Sequence, residues 1–162
     1  MKLNRKPLPL GKTVEFKEEM SFLDNSFDTF QIRNIPHADV LILATEYGET
    51  LRVVFDIKAD VTAVSSYTLK DVPLKISVEE EFSFTDEDIE DDNILYEPNA
   101  IIELDEYILS LILSKIPIKV VGKNEKIPDG GEGYRVISQD DYEKEKETKT
   151  DPRWSALDDL EF

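Results

Sequence analysis

Leu51-Arg52-Val53-Val54-Phe55-Asp56-Ile57-Lys58 decides the fold class. Leu51, Val53, Phe55 and Ile57 alternate with Arg52, Val54, Asp56 and Lys58. Side chains of a strand point to opposite faces in turn, so this is a strand with one face buried. Upstream, Val40-Leu41-Ile42-Leu43-Ala44 is a second apolar strand, and Gly48-Glu49 between them is a turn. The two are predicted to form a hairpin. Downstream, Val61 to Tyr67 continues the extended chain and Thr68-Leu69-Lys70-Asp71 turns it. Leu74, Ile76, Val78, Phe82 and Phe84 then share one face, and Glu80 alone breaks the period. A bulge, or a strand leaving the sheet edge, would accommodate it. Short loops between successive strands predict an antiparallel meander.

Working outward, Val14 and Phe16 suggest a strand over 13–17, and 21–38 reads as a short helix or loop ended by Pro36. Ile101-Ile102 is a short extended stretch. Asp105 is placed to cap a helix running to about Ser114, with Leu104, Tyr107, Ile108, Leu111, Ile112 and Ile116 along one flank and Pro117 as its stop. Ile118 to Val121 is expected to return to the sheet. Ser138-Gln139-Asp140-Asp141 carries capping-box chemistry ahead of a charged helical run, Tyr142 to Lys149. The expected fold is α+β: an antiparallel sheet or partly open barrel packed by one main helix, with a polar tail and a short C-terminal helix. One domain is expected over 1–137, with its core at 40–121. An acidic loop spans 85–98, and a charged tract with a docking segment spans 138–162.

That last segment is Asp151-Pro152-Arg153-Trp154-Ser155-Ala156-Leu157-Asp158-Asp159-Leu160-Glu161-Phe162. Asp151 suits an N-cap and Pro152 a first helical position. Trp154, Leu157 and Leu160 recur every three residues and share a face. So short a helix is marginal alone in water, so it needs its own domain or a partner. Asp151, Pro152, Arg153, Trp154, Leu157 and Leu160 are therefore candidate partner-binding residues.

Net charge is −17, from 36 acidic against 19 basic residues. Phosphate backbones are gripped by Lys and Arg, which disfavours independent binding of DNA or RNA and favours basic protein partners. Acidity also serves solubility alone. Six of the seven residues from Asp86 to Asp92 are acidic: Asp86, Glu87, Asp88, Glu90, Asp91 and Asp92. Asp86, Asp88, Glu90, Asp92 and Glu97 fall at positions 1, 3, 5, 7 and 12 of a calcium loop. Asp91 sits where that loop needs Gly, and a strand precedes it in place of a helix. The default is a solvated acidic loop.

Catalytic signatures are missing. His37 is the single histidine and cysteine is absent. Ser65 and Ser66 lack a flanking base and read as structural, and His37 reads as a loop residue. Gly130-Gly131-Glu132-Gly133 lacks the strand-to-helix context of a phosphate loop. No enzyme activity, cofactor or metal is expected. With no secretory signal or membrane-length apolar run, a cytoplasmic protein is expected.

Four passages together resemble the YceD family, the large ribosomal RNA subunit accumulation proteins of bacteria and plastids. They are Ser65-Ser66-Tyr67-Thr68-Leu69-Lys70-Asp71-Val72 with its following strand; the acidic loop leading to Ile101-Ile102-Glu103-Leu104-Asp105 and the helix ending Ile116-Pro117; Gly131-Glu132-Gly133-Tyr134-Arg135-Val136-Ile137-Ser138; and the terminal Asp151-Pro152-Arg153-Trp154. The resemblance covers about 40–160. Many relatives carry cysteines where this chain has Ser65 and Thr68, and some carry more after the Pro that ends the helix. Thiolate zinc binding is thus impossible here, and the chain is similar to the cysteine-free, gram-positive branch. The resemblance implies a non-enzymatic role in synthesis, processing or stability of 23S ribosomal RNA. The expected partner is a ribosomal protein or large-subunit assembly factor, with direct RNA contact left open. An acidic binding module or chaperone for one basic protein, without ribosomal specificity, is the alternative. A divalent-dependent nuclease using the acidic loop is the enzyme-class alternative, though a flexible loop does not fix a metal pair.

Overall fold

A computed structural model describes residues 1–23, 27, 32–88, 94–123, 125 and 130–148. Two compact units divide the chain, Met1–Gly122 and Lys123–Phe162. Among its described residues the first holds seven strands and a helix: β1 Lys2–Asn4, β2 Thr13–Phe22, β3 Ile32–Glu46, β4 Thr50–Val64, β5 Asp71–Thr85, β6 Ile94–Tyr96, β7 Ile101–Glu103 and α1 Asp105–Ser114. The main sheet runs β2-β3-β4-β5-β6 and is open, with β2 and β6 as its edges. The first four strands form the expected antiparallel meander, while β6 joins β5 in parallel. β1 and β7 form a separate two-stranded ribbon.

Alternation in β4 is realised residue by residue. Leu51, Val53, Phe55 and Ile57 are wholly buried. Across the ladder they meet Phe84, Phe82, Glu80 and Val78 of β5, and Ala44, Ile42 and Val40 of β3 share the same face. Strands of 15 residues reach about 50 Å, whereas the ten residues of α1 span about 15 Å. The helix therefore covers only part of the face, through Ile108, Leu111 and Ile112. Leu3, Phe22, Phe27, Ile102 and Leu104 join the same core cluster.

Four local expectations are corrected. Residues 32–38 belong to β3, where a helix or loop ending at Pro36 was expected. Register shifts between Ile32 and Asn34 and between Asn34 and His37 place Pro36 in an irregular stretch. A proline lacks the N–H for a regular ladder and is tolerated at such breaks. His37 accordingly lies in a strand, its Nε2 3.3 Å from Asp39 Oδ1.

Glu80 causes no bulge, since β4 and β5 stay in register from Thr50↔Thr85 to Val64↔Asp71. It stays on the helix-facing side and meets Lys115, just past α1, at 2.8 Å. A charge on an apolar face is tolerated when a counter-charge reaches it at the rim. Asp105 is the first residue of α1 and Leu104 occupies the cap position, without a side-chain cap bond. An acid in the first turn still complements the helix dipole. Ile118 to Val121 forms no strand. Val120 is buried beside Ala63 and Val72, and its backbone bonds Ser66.

The turn between β4 and β5 is built on serines. Ser65 Oγ accepts from the N–H groups of Tyr67 and Thr68, both at 3.2 Å. The Ser66 N–H donates to the Val120 carbonyl at 2.8 Å, and the Val120 N–H donates back to Ser66 Oγ at 3.2 Å. Thus the turn at Ser65–Ser66 and the stretch after Pro117 are joined by hydrogen bonds. Leu69 closes the turn at φ 59°, a left-handed conformation, with its side chain 73% exposed. Side chains with a Cβ are strained there by about 1–2 kcal/mol, and Asn least so. Leu69→Asn is expected to raise stability by about 0.5–1 kcal/mol, read as a higher urea midpoint.

In the second unit, α2 Gln139–Thr148 confirms a helix in the charged run. Ser138 Oγ accepts the Asp141 N–H at 3.0 Å, half of the expected capping box. Arg135 pairs with Glu145. The segment 151–162 and its expected helix lie outside the described residues.

Candidate functional site

The described part of the acidic loop is anchored at both ends. Where β5 ends, Thr85 Oγ1 accepts the Glu87 N–H at 3.2 Å and the Thr85 carbonyl accepts the Glu97 N–H at 2.7 Å. Asp86 lies 3.3 Å from the guanidinium of Arg5. Arg5 is itself buried and forms a two-pronged bond to Glu46, Nε to Oε2 at 3.0 Å and Nη2 to Oε1 at 3.1 Å. Glu46 Oε1 also accepts the Gly48 N–H at 2.9 Å. Donating to the Glu46 carboxylate holds the Arg5 guanidinium above its ordinary pKa, so it stays charged at any working pH. One buried cation thus joins the N-terminal segment, the β3–β4 hairpin and the base of the acidic loop. Nothing in the sequence marks this trio, because no local pattern relates residues so far apart along the chain.

At the far end, Glu97 accepts the Tyr107 hydroxyl at 2.7 Å. The Tyr107 ring packs edge-on against Phe84 at 5.3 Å. Burial, then the bond to Glu97, pushes the Tyr107 pKa up to about 12. A raised folded pKa means the native state keeps a proton that the unfolded chain loses near pH 10. Stability from this contact is therefore complete below about pH 10 and falls as pH rises toward 12. Tyr107→Phe is expected to flatten that decline, measured by urea unfolding across the alkaline range.

The sequence-predicted residues are distributed as follows. Asp86, Glu87 and Asp88 are exposed at the base of the loop. Glu90, Asp91 and Asp92 lie outside the described residues, as do Asp151, Pro152, Arg153, Trp154, Leu157 and Leu160. Two carboxylates of the calcium-like spacing, Asp86 and Glu97, are engaged by Arg5 and Tyr107, and β6 lies between them. Among the described residues no group of three or more His, Cys, Asp or Glu side chains is arranged to hold a metal ion. No helix among them is long and apolar enough to cross a membrane.

Glu97, Glu103 and Glu106 border a recess of about 360 Å³ with Asn99, Tyr107 and Ser110. The fold and its surfaces define an open α+β sheet protein with anchored acidic segments. Residues 53–161 match the family described as Large ribosomal RNA subunit accumulation protein YceD. The match covers more than half of the chain, from within β4 through the terminal segment, and the chain belongs to the YceD family. The family's name links it to accumulation of large-subunit ribosomal RNA. No curated protein and no solved structure matches the chain.

Proposed function

We propose that this protein supports the synthesis, processing or stability of 23S ribosomal RNA without catalysis, by contacts with a basic ribosomal protein or large-subunit assembly factor. Membership of the YceD family carries the ribosomal part. The choice of protein over RNA as the direct partner rests on charge. A net −17 repels phosphate and attracts basic protein. The anchored acidic loop supports the same choice, because the exposed Glu87 and Asp88 at its base can neutralise cationic side chains. Within this reading the terminal residues Asp151 to Leu160 are a second contact, with Trp154 and Leu157 as apolar anchors. The site of action is the cytoplasm, where ribosomal subunits are assembled.

Depletion tests this reading. Loss of the protein is expected to lower the ratio of large to small subunits in a sucrose gradient and to leave unprocessed or degraded 23S RNA ends. A normal subunit ratio with normal ends would overturn it.

A further inference from the structure

We propose that the free edge of β2 is a docking site for an extended, basic segment of a partner protein, which adds to the sheet as a further strand. This inference rests on the reading that the partner is a basic protein, and it names where and how that partner is held.

β2 is ten residues long and ends the main sheet. Its outer backbone edge has no ladder partner among the described residues. Such an edge presents a row of N–H and C=O groups that an incoming strand can pair with. Side chains of β2 supply the two specificities a strand needs. On the helix-facing side Val14, Phe16 and Met20 are only half-buried, while their β3 partners Ala44, Ile42 and Ala38 are fully buried. An added strand would cover this apolar shoulder with apolar residues at alternate positions.

Charge adds a second selection. Glu15 and Glu19 are exposed on the outer face with one cation, Lys17, which pairs with Glu15 at 2.7 Å, while Glu18, opposite Val40, is exposed at the apolar shoulder itself. Glu18 and Glu19 have no ion pair among the described residues. Beside them a recess of about 380 Å³ is bordered by four acids, Glu18, Glu19, Asp39 and Asp56, and by two lysines, Lys17 and Lys58, around Leu41. Acids outnumber cations there, so the stem of an incoming lysine or arginine can lie over Leu41 with its head toward Glu19 and Asp39. The same acids disfavour a second copy of this chain, which would set two net-acidic strands side by side. The occupant is therefore a segment alternating basic and apolar residues.

The test uses the full chain and a synthetic peptide alternating lysine and valine, matched in length to β2. Hydrogen exchange followed by NMR reads the β2 amides. The peptide is expected to slow exchange along Val14 to Met20. Reversing the three acids (Glu15→Lys, Glu18→Lys, Glu19→Lys) is expected to weaken binding about tenfold or more. Methylating alternate peptide nitrogens should abolish the protection, since pairing runs through the main chain. Three results would overturn the proposal: no protection of β2, equal binding of the methylated peptide, or protection of the same amides by a short RNA. The peptide assay is independent of the ribosome. A failed peptide assay beside a defect on depletion removes the edge alone, and normal subunits after depletion remove the functional reading alone.

Discussion

Replacing Phe84 by alanine is expected to cost about 3–5 kcal/mol of stability, the range for truncating a buried phenylalanine. Phe84 is wholly buried, pairs with Leu51 across β4, and lies opposite Leu95 of β6. Its ring meets Phe82 at 6.4 Å and Tyr107 at 5.3 Å, both edge-on. One side chain thus joins the sheet, the helix and the short strand within the acidic segment 85–98. Alanine would leave a cavity that a regular ladder on both sides cannot close. Urea unfolding checks it, with a lower midpoint and an unchanged slope. A loss below about 1 kcal/mol would show that the interior repacks around the site.

Removing Arg5 is the second large effect. Arg5→Ala strips Glu46 of its buried counter-charge and releases Asp86. Breaking a buried ion pair from one side costs about 3–5 kcal/mol, because the orphaned charge stays desolvated. The double variant Arg5→Met with Glu46→Leu is expected to recover most of that loss, since a buried pair and apolar groups of similar volume are often close in stability. Equilibrium unfolding of Arg5→Met, Glu46→Leu and the double variant measures the coupling. Hydrogen exchange at Glu87, whose N–H depends on Thr85 at the loop base, is expected to quicken in Arg5→Ala. Independent, additive effects of the two single changes would contradict the buried-pair account.

The contrast between these two residues explains what the chain reveals directly. Phe84 was legible because a strand's period of two assigns it to the buried face, and Leu51 to Ile57 and α1 were legible for the same periodic reason. Arg5, Glu46 and Asp86 were not, because their meeting is made by the β3–β4 hairpin and the N-terminal segment together. Pro36 misled in the other direction. Proline is read as a stop, and here irregular register in β3 carries the strand through it. Glu80 broke a pattern that the backbone kept, because Lys115 beyond α1 supplies its counter-charge. Parallel addition of β6 was equally hidden, since three residues are too few for a period to show. At the functional surfaces, composition and motif order were sufficient for the family. The anchoring of Asp86 and Glu97 needed the fold.

Native purification of the full chain from cells, with nuclease treatment before elution, tests most directly whether this acidic protein serves large-subunit RNA through a basic protein. A basic large-subunit protein or assembly factor is expected to survive the nuclease and leave as salt rises, because the contact is electrostatic. Recovery of protein-free 23S RNA that withstands moderate salt would contradict the account.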